Sequence, residues 1–229
     1  MTTLPAGTVT FLFSDIEGST QLLHELGDRY GELATQHRRV MREAATGAGG
    51  IEIDAQGDAF FFSFTRAREA AAGALDAQRR LAAERWPGGV AVKVRMGLHT
   101  GEPTLGEEGY VGLDVVRGAR IAAAAHGGQI LVSEATRALL PAELPDGAEV
   151  VDLGEHVLKD LAREERLFQL VAPGLAGDFP VPRSEQPPDP LSRKIDAYVE
   201  QQITRAFEET PAGRGQATGW LARLRRRNR

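Results

Sequence analysis

Two apolar segments on either side of a Gly-Asp pair constrain the fold of this chain most strongly. In DAQGDAFFFSF (54–64), the run AFFFSF follows Gly57 and Asp58 directly. The preceding segment, IEID, has the alternating pattern that is typical of a strand. We therefore predict two antiparallel strands joined by a tight AQG turn, with Asp58 presented at the tip of the hairpin.

Strands and helices alternate along the rest of the first three quarters of the chain. TVTFLFS (8–14) has the pattern of a buried strand, and VAVKVRMGLHTG (90–101) has that of an alternating strand. The alanine-rich segments 66–86 and 112–125 favour helices, each closed by Pro or Gly residues. This order predicts an α+β fold in which helices cover one face of a mixed sheet.

A change in composition divides the chain near residue 171. Residues 172–190 contain six prolines, which is typical of a linker. Beyond it, 191–209 places apolar side chains on one stripe of an amphipathic helix that would pack on its own domain or on a partner protein. We therefore predict a domain at 1–171, a Pro-rich linker at 172–190, and a helix with an Arg-rich tail at 191–229.

The overall composition excludes several classes of protein and site. Because the chain has no cysteine, it has no disulfide framework, thiolate metal site or cysteine nucleophile. No basic, apolar leader precedes the first strand, and no apolar run reaches about 18 residues, so we expect a cytoplasmic protein. The net charge is −5, yet 211–229 holds six arginines and no acid. Only this tail suits an anionic membrane or a nucleic acid, the alternative being a solvated terminus.

Asp15 and Asp58 are the candidate metal ligands that the residues themselves indicate. Asp15 directly follows the first predicted strand, and Asp58 lies at the tip of the predicted hairpin. If those two strands are neighbours, both carboxylates lie at the same edge of the sheet. Hard oxygen ligands of this kind suit Mg²⁺ that also binds the phosphates of a nucleotide. The alternative is that both acids cap turns.

Six segments, in this order, resemble the class III nucleotidyl cyclase homology domain, in particular its actinobacterial branch. The resemblance covers roughly residues 5–171, and it implies a ferredoxin-like core in a head-to-tail homodimer with two sites at the interface. It also implies conversion of ATP or GTP into the 3′,5′-cyclic nucleotide and pyrophosphate. The segments are FLFSDIEGST (11–20), GDAFFFSF (57–64), RMGLHTGE (95–102), YVGLDVVRGARI (110–121), GGQILVSEAT (127–136) and LKDL (158–161).

The resemblance assigns roles to five residues of this chain. Asp15 and Asp58 match the ligands of two metal ions per site, Mg²⁺ or Mn²⁺, and the main-chain carbonyl of Ile16 assists them. Lys159 matches the lysine that reaches the terminal phosphates, the alternative being a solvated loop lysine. Arg120 matches the arginine that stabilises charge on the α-phosphate, the alternative being an arginine on the surface of a helix.

Three positions depart from the family pattern. Asp54 replaces the base-reading lysine, Gly109 offers no side chain at the second base-reading position, and Val116 replaces the asparagine that orients the ribose. A carboxylate suits guanine better than adenine, although we predict ATP ahead of GTP as the substrate. Lost positioning predicts weak activity. The alternative is a pseudo-cyclase that acts as a nucleotide-binding or dimeric signalling module, and a heterodimer stays open as well.

Overall fold

The computed structural model describes residues 4–106 and 109–183. The predicted amphipathic helix at 191–209 and the Arg-rich tail lie outside the described residues, as does the end of the predicted linker. Among the helices of the described part, none is long and apolar enough to cross a membrane. The predicted division into domains stays a prediction.

Seven strands form one mixed sheet, and two short strands form a separate hairpin. The sheet order is β2-β3-β1-β4-β7-β9-β8, in which β4 and β7 are parallel and the other neighbours are antiparallel. The strands are β1 Val9–Ile16, β2 Ile51–Gln56, β3 Ala59–Phe64, β4 Val94–Gly101, β5 Thr104–Gly106, β6 Gly109–Val111, β7 Ile130–Ser133, β8 Glu149–His156 and β9 Glu165–Val171. The predicted α+β class with a mixed sheet is therefore confirmed.

Helices cover both faces of this sheet rather than the single face predicted. Leu12 of β1 points into a core cluster with the helices on one side, whereas its neighbours Phe11 and Phe13 lie in a second cluster with Val115 and Val116 on the other. This division follows from the two-residue period of a strand. The helices are α1 Ser19–Leu26, α2 Tyr30–Gly47, α3 Ala67–Ala83, α4 Leu113–Ala124 and α5 Glu134–Leu139.

The predicted hairpin is present, but its turn begins two residues later than predicted and contains two residues instead of three. Strand β2 continues to Gln56, so the turn consists of Gly57 and Asp58. Gly57 has a φ of +66°, a left-handed conformation that glycine adopts without a steric penalty. Strand β1 is also longer than predicted and includes Asp15, which is therefore a strand residue. Both changes keep the two acids at the same edge of adjacent strands.

The segment after β9 returns across the domain. Leu175 packs against the large core cluster, and the main-chain N–H of Arg183 donates to the carbonyl of Ala124 at the end of α4. The guanidinium of Arg183 also pairs with Glu17, which follows β1. The last described residues therefore contact the segment that leaves the strand bearing Asp15.

Candidate functional site

A buried ion pair places Asp15 at one edge of the sheet. Asp15 and Arg95 lie directly opposite each other in the antiparallel β1–β4 pair. Arg95 Nη2 donates to Asp15 Oδ2 at 2.7 Å, and both side chains are only 4% exposed. Cross-strand neighbours share one face of a sheet, so this contact follows from the register. Arg95 thereby partly offsets the negative charge of one carboxylate at this end of the strands.

A second buried carboxylate lies beside the first. Burial, followed by the negative charge of Asp58, raises the pKa of Asp15 to about 7, although Arg95 acts in the opposite direction. Asp15 Oδ1 is buried and has no hydrogen-bond partner in the part of the chain that the structure describes. Two buried carboxylates thus lie side by side, with the Arg95 guanidinium on Asp15 and that of Arg38 on the neighbouring Gly57 carbonyl. This arrangement favours the binding of either a proton or a cation.

Helix α2 covers this pair from one side. The ring of His37 is fully buried, 5.7 Å from that of Phe60, and burial lowers its pKa to about 4. The pKa of Tyr30 is raised by burial and by the negative charges of Asp58 and Asp15. His37 is therefore neutral at pH 7 and does not neutralise the pair.

The number and type of ligands limit what this pair can hold. Across residues 4–106 and 109–183 there is no group of three or more His, Cys, Asp or Glu side chains that could hold a metal ion. A site at Asp15 and Asp58 would therefore need main-chain or substrate oxygens as well. The side chain of Ile16 is buried in the core, so only its main chain is available for that purpose.

Arg120, one of the two predicted phosphate-binding cations, contacts the turn that carries the other, Lys159. Arg120 on α4 is buried, and its Nη2 pairs with the carboxylate of Asp160. Lys159 immediately precedes Asp160 in the turn between β8 and β9. The structure thus brings Arg120 next to the turn that carries Lys159.

The three departing positions have distinct environments. Both oxygens of Asp54 accept local hydrogen bonds, from the Ala55 N–H at 2.8 Å and from Gln56 Nε2 at 3.0 Å. Gly109 is buried, with a φ of +131°. Val116 is 7% exposed and lies in the apolar cluster of β1, β3 and α4. In this conformation, Val116 therefore packs within its own chain.

Sequence reasoning missed Arg95 and Asp160. The β1–β4 register, once known, would have placed Arg95 opposite Asp15. Asp160 stands in the LKDL segment beside a predicted site residue, but no local pattern indicates its contact with Arg120, 40 positions away. The catalytic and binding roles assigned to the predicted residues stay predictions.

Comparisons with known proteins agree on one family. The profile described as "Adenylate and Guanylate cyclase catalytic domain" matches residues 1–171. An uncharacterized protein of Mycobacterium tuberculosis is 41% identical over 178 residues, which are 77% of this chain and 60% of that protein. The adenylate cyclase of Neurospora crassa is 29% identical over 229 aligned positions, which are 76% of this chain and 10% of that enzyme. The chain thus spans less than two thirds of the length of these relatives.

Solved structures show the same fold. Adenylate cyclases from Trypanosoma brucei in their monomeric state include one with a TM-score of 0.69 and 23% identity, covering 80% of this chain and 97% of that one. The adenylyl cyclase CyaB from Pseudomonas aeruginosa has a TM-score of 0.61 and 24% identity, covering 75% and 97%. The resemblance and the fold class are confirmed, and the chain belongs to the adenylate and guanylate cyclase catalytic domain family.

Proposed function

We propose that this chain is a nucleotidyl cyclase that converts ATP, or GTP, into the 3′,5′-cyclic nucleotide and pyrophosphate at the interface of a homodimer. The observation that carries the proposal is the buried pair of carboxylates, Asp15 and Asp58, at one edge of the sheet. Relatives named adenylate cyclases support ATP as the substrate. The proposal therefore combines a family with a site of suitable chemistry.

The acid pair fits the divalent ions that the family resemblance implies. The donors are carboxylate oxygens, which Mg²⁺ and Mn²⁺ prefer, and one of them, Asp15 Oδ1, lies buried without a hydrogen-bond partner in the described residues. Burial, followed by the negative charge of Asp58, raises the pKa of Asp15, so the ionised carboxylate would be stabilised by a bound cation. Two bound ions, assisted by the Ile16 carbonyl, would supply the positive charge that orients a triphosphate and polarises it.

The other residues would act on the nucleotide directly. Lys159 would bind the terminal phosphates, and Arg120 would stabilise negative charge at the α-phosphate with the planar fork of its guanidinium. In the reaction, the ribose 3′-hydroxyl gives its proton to solvent water, and its oxygen forms a bond to the α-phosphorus. The bond from that phosphorus to the leaving pyrophosphate breaks. Lys159 and Arg120 would therefore bind the phosphates, where negative charge accumulates during the reaction.

We expect the activity to be weak. Val116 lies in an apolar cluster and has no polar group with which to orient a ribose, and Gly109 has no side chain with which to read a base. The carboxylate of Asp54 accepts bonds from its own hairpin. Losing base contacts mainly lowers affinity and selectivity, whereas losing a contact that acts in the transition state typically slows an enzyme by about 10²- to 10³-fold.

A pseudo-cyclase is the second candidate, because Val116 is buried within its own chain. In that case the domain would bind the triphosphate without turning it over and would act as a dimeric signalling module. Cytoplasmic location, a partner for 191–209, and membrane or nucleic-acid contact by the tail stay predictions in either case.

The test is product formation by the purified protein with Mn²⁺ and either ATP or GTP, detected by mass spectrometry. We expect 3′,5′-cyclic nucleotide from wild type and none above background from Asp58→Asn. Asp146→Asn is the matched control, since Asp146 forms a surface ion pair with Arg79. Metal-dependent triphosphate binding without product would favour the pseudo-cyclase. If the wild type shows neither metal-dependent triphosphate binding nor product, both candidates are contradicted.

A further inference from the structure

Arg120 is held inside its own subunit by a carboxylate. Its side chain is 4% exposed, and Nη2 contacts Asp160, whose side chain is 24% exposed. An arginine that binds a nucleotide across a dimer interface must present its guanidinium at the surface. In this conformation, Arg120 therefore needs to move before it can meet a nucleotide held by a second chain.

Packing of the turn that carries Asp160 brings this residue to Arg120. Leu158 and Leu161, on either side of Asp160, belong to an apolar cluster or pack against it, and that cluster includes Ile121 of α4. The Leu161 N–H donates to the Leu158 carbonyl at 3.2 Å, which closes the turn. Asp160 has a φ of +63°, a left-handed conformation that Asp tolerates better than most residues. The turn is thereby packed on the helix that carries Arg120.

Carboxylate and phosphate compete for the same donors of a guanidinium. Both accept parallel N–H bonds from its planar fork, so a nucleotide phosphate can replace Asp160 on Arg120. The negative charge of Asp160 also lowers the positive potential that attracts a phosphate. Removing that charge should therefore strengthen phosphate binding.

We propose that Asp160 is an internal competitor of the substrate, which holds Arg120 in a resting position and sets the affinity for the triphosphate. This inference rests on the proposed function, because Arg120 is assigned to the phosphates there. Exchange of Asp160 for a phosphate frees Arg120 to act on the nucleotide. Asp160 thus determines affinity and does not touch the reacting atoms.

The experiment compares wild type with Asp160→Asn, which keeps the shape and the left-handed backbone but removes the charge. Binding is measured with inorganic tripolyphosphate in EDTA and with Mn²⁺ plus a non-reactive ATP analogue. We expect both dissociation constants to fall about 3- to 10-fold, and turnover to rise. Asp160→Gly, which also tolerates positive φ, should give the same direction. Asp146→Asn, with a φ of +56° and an Arg79 partner at 2.8 Å, should leave both constants unchanged.

A purely structural role would give a different result. Affinity that is unchanged or weaker in Asp160→Asn, while wild type binds both probes, would overturn this inference and leave the proposed function standing. If neither wild type nor the variants bind either probe, the proposed function fails and the inference fails with it. A gain in affinity accompanied by a lower melting temperature would support the inference about Asp160, because loss of folded protein cannot tighten binding.

Discussion

Asp58→Asn should stabilise the metal-free protein at high pH. The pKa of Asp15 rises from 3.8 to about 7 on folding, so the folded state binds more protons between those values. The contribution of Asp15 to stability is therefore fully present only at low pH and is lost as pH rises to about 7, whereas that of buried His37, whose pKa is lowered to about 4, is lost as pH falls. This difference of about three between the pKa of Asp15 in the unfolded and folded states corresponds to about 4 kcal/mol of unfolding free energy.

Asp58 accounts for part of that loss. Burial is the largest cause of the raised pKa and the charge of Asp58 is the second, so Asp58→Asn should recover about 1–2 kcal/mol at pH 8. For a chain of this size, that equals a rise in melting temperature of about 2–8 °C. Near pH 4, where Asp15 is protonated in the folded state, the gain should almost disappear.

Urea unfolding in EDTA at several pH values between 4 and 8 measures this difference. Asp54→Asn, on the same hairpin but outside the acid pair, is the control and should not reproduce the gain at pH 8. With Mn²⁺, the wild type should gain stability and Asp58→Asn should not. A stability difference between Asp58→Asn and wild type that is the same at pH 4 and pH 8 would refute the reasoning.

Three further substitutions test the packing on which the site depends. Gly97→Ala should destabilise the protein by about 3 kcal/mol in urea unfolding, because the new Cβ would lie 2.4 Å from the backbone N of Ala122. An unchanged midpoint would contradict this close approach of β4 and α4. Val116→Asn should cost about 1–3 kcal/mol, since it places an amide in an apolar cluster. A neutral effect would mean that Val116 faces solvent. Arg183→Gln should cost about 0.5–1 kcal/mol through loss of its partly buried pair with Glu17, measured against Glu17→Gln and the double variant. Additive single effects would show that the pair contributes nothing.

The sequence predicted the elements that have a strong local pattern. The AFFFSF run and the Gly57-Asp58 pair directly before it indicate β3 and its hairpin, because apolar runs and turn chemistry act over a few residues. The position of Asp15 and Asp58 at one edge followed from the assumption that two strands are neighbours. The exact turn was not predicted, since Gln56 of β2 pairs with Ala59 of β3 and leaves a two-residue turn.

Contacts between distant segments could not be predicted in the same way. Arg95 meets Asp15 only through the register of β1 and β4, and Arg120 meets Asp160 only when the β8–β9 turn packs on α4. The prolines of residues 172–183 indicated a linker by composition, yet Leu175 contacts the core. Each of these contacts depends on tertiary packing, which no local pattern encodes.

The most direct test of the acid pair is a titration of the purified protein with Mn²⁺, followed by electron paramagnetic resonance in the presence of a non-reactive ATP analogue. We predict bound Mn²⁺ in wild type and in Asp54→Asn, and its loss in both Asp15→Asn and Asp58→Asn. Equal Mn²⁺ binding in wild type and in these two variants would contradict the account, as would the absence of bound Mn²⁺ from wild type.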